Sequence, residues 1–202
     1  MKRLGVLLAA GQSSRMRGRD KQLELIDGQP LLSRLVEVCR PHVDALAVTI
    51  PHIGHARQEA LRGYDVDILP APNAREGMSV SLRTAADWAL SKTGDHLMII
   101  PSDMPDLDTQ DIKLFQELVR NNSRKIVQAT SQSGIPGHPV SFPKETFTDL
   151  GALSGDIGAK SVTASHASVT IALPANHAIT DLDTPEAWEM WKLERSNSTN
   201  KH

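Results

Sequence analysis

The chain has 202 residues, 40% of them hydrophobic, and a net charge of −2 from 22 basic and 24 acidic side chains. That supports one domain with a proper core and leaves too little chain for two large ones. The charges are interspersed and the apolar runs are strand-length, which argues against nucleic acid, a membrane surface or a bilayer span.

Residues 4–10 form an apolar run too short for a helix and apolar enough for a strand buried on both faces. The run stops at Gly11, and Gln12, Ser13, Ser14, Arg15 and, further on, Lys21 follow. In an α/β sheet, ligands sit beyond the carboxyl ends of the strands. A small-residue loop there leaves backbone N–H groups open to an anion, and Arg15 and Lys21 add positive charge. This stretch is expected to be a phosphate cradle; an ordinary surface loop is the competing reading. Two better-known cradles are excluded. Gly11 to Gly18 lacks the Gly-Lys pair of a P-loop, and Gln12-Ser13-Ser14 lacks the second glycine of a dinucleotide fingerprint.

After the loop, 23–26 is a short apolar piece ending in the Asp27-Gly28 turn, and 30–39 carries a helical stripe closed by Pro41. Cys39 lies in that stripe. As the sole cysteine it excludes disulfides, points to a reducing, cytoplasmic location, and reads as a core residue rather than a nucleophile. The run after Lys2 and Arg3 is too short for a signal sequence. Strands are expected at 45–50 and 66–69, with a short polar helix at 54–62 between them. Helix-length crossovers of this kind predict a parallel, doubly wound sheet. A helix over 79–90 follows, where Ser79 and Ser81 either cap or present hydroxyls.

The strand at 96–100 ends in Pro101-Ser102-Asp103-Met104-Pro105-Asp106. An aspartate past a strand end, between two prolines that fix the backbone, suits a hard cation, so Asp103 is read as a metal ligand, with a helix cap as the alternative. Asp106 and Asp108 are read as caps of the helix at 109–119. A strand at 126–129 is followed by a Gly/Pro loop that leads into the strand at 140–142, and 143–150 is read as helical. His138, between Gly137 and Pro139, has either a structural or a catalytic role. Asp156 can cap or bind a polar ligand beside Gly155. After a last strand at 169–173, Thr184, Pro185 and Glu186 form a helix start. Trp188, Met190 or Trp191, and Leu193 are expected to pack that helix on the sheet. Asp181 and Asp183 are then free to be a second carboxylate source. The expected domain is 1–195, with a polar, disordered tail at 196–202.

Taken together, Leu8-Ala9-Ala10-Gly11 with Ser13, Arg15, Met16 and Lys21, then Pro101–Pro105 and Asp181–Glu186, resemble the MobA-like nucleotidyltransferases. Glu76-Gly77-Met78-Ser79, Gly134–Pro139 and 155–159 resemble their molybdenum cofactor cytidylyltransferase branch. One departure is Arg17, where many relatives have glycine. The resemblance implies a Rossmann-like domain with a mostly parallel sheet and helices on both faces. It also implies transfer of CMP from CTP to molybdopterin with release of pyrophosphate. Ala10 leans toward the pyrimidine, because guanylyl enzymes typically have glycine there. Lys21, Arg15 and Asp103 are expected to be catalytic. Leu8, Ala9, Ala10, Gly11, Gln12, Ser13, Ser14, Arg15, Lys21, Gly77, Ser79, Ser81 and Ser102 would bind the nucleotide. His138, Gly155 and Asp156 would face the acceptor, and Asp103 with Asp183 would hold Mg²⁺ or Mn²⁺. CTP and a molybdopterin-type cofactor are the expected partners, with a molybdoenzyme or its maturation chaperone receiving the product. The alternatives are a related transferase using GTP with the same cofactor, or CTP or UTP with a sugar or polyol phosphate, and a non-catalytic delivery protein. Two separate carboxylate sources argue against the last of these.

Overall fold

The computed structural model describes residues 1–74, 77–155 and 158–199. Its chain order is β1 (Arg3–Leu8), a hairpin of β2 (Leu25–Ile26) and β3 (Gln29–Pro30), α1 (Leu31–Cys39), β4 (Ala45–Ile50), α2 (Ala56–Glu59), β5 (Asp67–Pro70), α3 (Met78–Ser91), β6 (His96–Pro101), α4 (Thr109–Asn121), β7 (Ile126–Thr130), β8 (Pro136–Pro143), α5 (Phe147–Gly151), α6 (Lys160–Ser165), β9 (Ser168–Ala172) and α7 (Pro185–Thr199). Seven strands share one sheet in the order β5-β4-β1-β6-β8-β7-β9. All its pairings are parallel except those of β8 with β6 and β7.

The side-chain period of two explains the layers. In β1, Leu7 enters the core with α1, α4 and Trp188 of α7, while Leu4 and Val6 enter the core with α3, α5 and α6. In β6, Met98 and Ile100 face the first layer and Leu97 and Ile99 the second. Strands buried on both faces must read as unbroken apolar runs, and these do. The expected α/β architecture, with helices on both faces, is the one observed. Among the described residues no helix is long and apolar enough to cross a membrane.

Several local expectations change. Met78 rather than Ser79 opens α3, after Gly77 at φ 119, and no side chain caps that helix. Asp108 does cap α4, in a capping box with Asp111, but Asp106 does not; its carboxylate accepts from the Trp191 indole at 2.7 Å. Residues 136–139 belong to β8 rather than to a loop. Helix α6 has no counterpart in the sequence reading. Trp188 is buried and Trp191 packs against the same core, as expected, but Leu193, like Met190, is exposed on the outer side of α7. That helix continues to Thr199, into the segment expected to be a tail.

Candidate active site

Beyond β1 the chain stays beside β4 for one more residue. The Ala9 N–H donates to the backbone oxygen and the hydroxyl of Thr49, both at 3.1 Å. Ala10 is buried against Ala71 and Val80. Ser13, Arg17 and Gly18 then take positive φ values of 51°, 52° and 88°, which folds the loop back on itself. Among the described residues, the N–H groups of Ala10, Gly11, Gln12 and Ser13 meet no protein acceptor. Backbone donors left open in this way suit an anion. The loop walls a cavity of about 640 Å³ that also takes in Pro51, His52, His55, Arg57, Ala71, Pro72 and Ala74. The cavity lies on the β4–β5 side of the loop.

On the β6 side stands a charged cluster. A short 3-10 turn over Lys21–Leu23, capped by Asp20, aims Lys21 across the sheet end. The Lys21 ammonium donates to Asp103 Oδ2 at 2.5 Å and Asp183 Oδ1 at 2.6 Å, and Arg15 reaches Asp183 Oδ2 at 2.7 Å. The Leu182 N–H donates to the Asp103 carbonyl at 3.2 Å, which draws the segment before α7 to the end of β6. Burial works against the Lys21 charge, but the Asp103 and Asp183 carboxylates outweigh it and hold its pKa above the ordinary value. Burial, then the neighbouring Asp103 and Asp183 charges, push Asp181 up. Asp103 Oδ1 is buried without a hydrogen-bond partner. Asp103 and Asp183, which share the Lys21 ammonium, are all-oxygen donors of the kind that suits Mg²⁺ or Mn²⁺, and the orphaned Asp103 oxygen has a lone pair to offer.

The remaining expected residues fall into three groups. His138, joined to Pro139 by a cis peptide bond, is close enough to Asp103 to feel its charge; burial outweighs that charge and lowers the imidazole pKa. Its Nδ1 is buried and unpartnered. Gly155 accepts from the Ser79 N–H at 3.4 Å, so the start of α3 and the loop after α5 are in contact; Asp156 lies outside the described residues. A second group serves the scaffold. The Ser102 hydroxyl donates to the Leu8 carbonyl at 2.8 Å and accepts from Gln22 Nε2 at 3.2 Å, while Ser79 Oγ accepts from Arg83 at 3.3 Å and Ser81 is buried in α3. Of the residues expected to bind the nucleotide, Ala10 to Ser14 line the cavity, whereas Leu8, Ala9, Arg15, Lys21, Gly77, Ser79, Ser81 and Ser102 do not. The third group is the departures of the loop. Arg17 is paired with Glu186 at 2.5 Å, and Arg19, which lines the cavity, is paired with Glu24. Cys39 is buried and its thiol is pushed up to about 12, which removes it as a nucleophile.

Sequence reasoning missed Arg57, Asp20, Gln22, His52 and His55. The first three are polar side chains turned inward at the base of the loop, and no spacing marks them. The ligand atoms of Asp108, Asp111 and His177 lie within 4.8 Å of one another. Their bonds serve the start of α4, since Asp111 accepts from the Asp108 N–H at 3.1 Å and pairs with His177 at 2.8 Å.

Residues 5–169 match the family described as the MobA-like NTP transferase domain. The molybdenum cofactor guanylyltransferase of Neisseria meningitidis serogroup C is 32% identical over 120 residues, which is 57% of this chain and 59% of that protein. The match therefore spans less than two thirds of that relative's length. Rv0371c from Mycobacterium tuberculosis H37Rv has a similar structure, with a TM-score of 0.79 at 23% identity, covering 94% of this chain and 97% of that one. Its complex with manganese gives 0.72 at 22% identity, over 94% and 97%. At these identities the structural likeness carries the fold alone.

Proposed function

This chain belongs to the MobA-like NTP transferase family, and from that premise we propose that it is a nucleotidyltransferase acting on a molybdopterin-type cofactor. The observation that carries this is the single loop with open amides on one side and the Lys21–Asp103–Asp183 cluster on the other. A nucleoside would occupy the cavity between the loop and Ala71–Ala74. The triphosphate would cross the loop toward Lys21 and Arg15, and the acceptor would approach from the side of His138 and Gly155.

The acceptor's terminal phosphate oxygen attacks the α-phosphorus, the bond from that phosphorus to the β-phosphate oxygen breaks, and pyrophosphate leaves. The attacking oxygen is already anionic, so no strong general base is required, and the protein's work is positioning and charge neutralisation. The N–H groups of residues 10–13 hold phosphate oxygens in place. Lys21 and Arg15 take the charge that grows on the leaving group. Asp103 and Asp183 are the groups that would hold a divalent ion, which would supply positive charge to neutralise the phosphates. The manganese bound by Rv0371c, a protein of the same fold, supports a divalent metal without choosing between Mg²⁺ and Mn²⁺.

The relatives' names favour GTP as donor over the CTP implied by the motif resemblance. One observation keeps CTP as a second reading. The Ala10 methyl group is packed against Ala71 and Val80, where the glycine expected in guanylyl enzymes would leave more room. The deciding experiment measures pyrophosphate release with molybdopterin and each of the four nucleoside triphosphates. GTP-dependent turnover selects the first donor and CTP-dependent turnover the second. Nucleotide binding with no pyrophosphate from any donor would instead leave a delivery protein. Asp103→Asn should lower turnover on the order of 10²–10³-fold.

A further inference from the structure

We propose that Arg57 is a positioning residue for the phosphate loop, holding its carbonyl side so that its amide side faces the ligand. This rests on the functional reading above, because it names what sets the geometry of that same loop. Arg57 sits in α2, is 2% exposed, and sends its guanidinium under the loop. Nη1 donates to the carbonyls of Ala9 at 2.5 Å and Gly11 at 2.7 Å. Nε donates to Asp20 Oδ2 at 2.8 Å and Nη2 to Ser13 Oγ at 3.2 Å. Both hydrogens of Nη1 are thus used on carbonyl oxygens, and all four contacts fall on the loop.

In a trans peptide, the C=O of one residue and the N–H of the next point in opposite directions across the same plane. Fixing the Ala9 carbonyl on Arg57 therefore turns the Ala10 N–H away from Arg57. Fixing the Gly11 carbonyl does the same for the Gln12 N–H. These are two of the N–H groups that meet no protein acceptor. Ser13 Oγ passes its own hydrogen to Gln22 Oε1 at 3.0 Å, and Gln22 reaches Ser102, which holds the Leu8 carbonyl. The loop is fastened from its carbonyl side on both flanks. A lysine at 57 would keep the charge beside Asp20, but one nitrogen cannot reproduce a planar fork that serves two carbonyls, a hydroxyl and a carboxylate.

The test uses inorganic tripolyphosphate, a probe with neither base nor acceptor, titrated calorimetrically in the presence of Mn²⁺ into the wild type and Arg57→Lys. We expect about a tenfold weaker affinity in Arg57→Lys, the loss of one charge-assisted contact's worth of preorganisation. We also expect a higher KM for the nucleotide, with the acceptor KM unchanged and kcat changed less, a split that general destabilisation would not produce. A folded Arg57→Lys with wild-type tripolyphosphate affinity overturns the proposal. If Arg57→Lys fails to fold, Asp20→Asn, which frees one side of the guanidinium, decides instead. A threefold loss of affinity supports the role, and unchanged affinity overturns it. Failure of the wild type itself to bind tripolyphosphate would sink the functional reading first, and is told apart by appearing without any substitution.

Discussion

His96 shows how one side chain can set a pH limit on the fold. It is buried at the start of β6, with Nε2 at 3.0 Å from the Ser123 carbonyl and Nδ1 at 3.0 Å from the Ser141 hydroxyl. A carbonyl only accepts, so Nε2 carries the hydrogen, Nδ1 accepts from Ser141, and the neutral ring has both partners. Burial disfavours a second, charging proton and lowers the pKa below its ordinary value. The unfolded chain, with a normal imidazole, takes up protons that the native state refuses. Stability is therefore complete above the ordinary histidine pKa near 6.5 and falls as pH drops through it. His138, also lowered by burial, adds in the same direction. We expect the wild type to lose stability between pH 7 and pH 5 on account of His96. His96→Asn should be less stable at pH 7 yet show a shallower slope in denaturant titrations, and equal slopes would refute the assignment. At this scale the sequence was legible where chemistry needs a residue type beside a strand end. Lys21, Arg15, Asp103 and Asp183 meet in one cluster, as their motifs suggest. Arg57 was illegible because an arginine in a polar segment looks like a solvated charge, and only the packing of α2 beneath the loop turns it inward.

Among the elements, the long apolar strands and the helices with clear stripes were readable, and short or proline-bearing ones were not. The strand at Ala45–Ile50 falls on the expected residues because it is buried on both faces. Helix α6 has six residues with one buried side chain, Val162, too little for a periodic signal. The start of β8 was hidden by Gly137 and Pro139, residues that normally argue against a strand. Tertiary contact explains the glycine. A Cβ at Gly137 would lie 1.9 Å from the Ala178 carbonyl oxygen, and the His138 N–H donates to that same oxygen at 2.8 Å. The obstacle is backbone, which cannot move aside as a side chain tip can. Gly137→Ala should therefore push the 176–179 turn off β8 and cost about 1–3 kcal/mol, the range for overpacking. Urea unfolding measures this, and a change below about 0.5 kcal/mol would show that the turn yields freely.

Across the whole molecule, the sheet order puts β1 between β4 and β6, so the loop after β1 becomes the wall between two compartments. The cavity draws on chain that follows β4 and β5, and the charged cluster on chain that follows β6 and precedes α7. Neither compartment holds a complete nucleoside triphosphate site. The cavity offers amides, small residues, imidazoles and the cations Arg19 and Arg57, with Asp20 its one lining carboxylate among the described residues, and the cluster offers carboxylates already neutralised by Lys21 and Arg15. A triphosphate with its divalent ion would engage both at once: the anion gives Lys21 and Arg15 a new partner, and the cation takes the carboxylates they release. Each component should therefore bind poorly alone and well together. We expect Mn²⁺ alone and nucleotide alone to raise Tm little. The pair at 100 times its dissociation constant should stabilise by about 2.7 kcal/mol, or roughly 5–10 °C for a domain of this size. Asp183→Asn should remove most of the excess shift, because it breaks the carboxylate pair while leaving the cavity intact. Equal shifts for the pair and for the sum of its parts would mean the two compartments act independently, and the loop would then be a partition rather than a shared site.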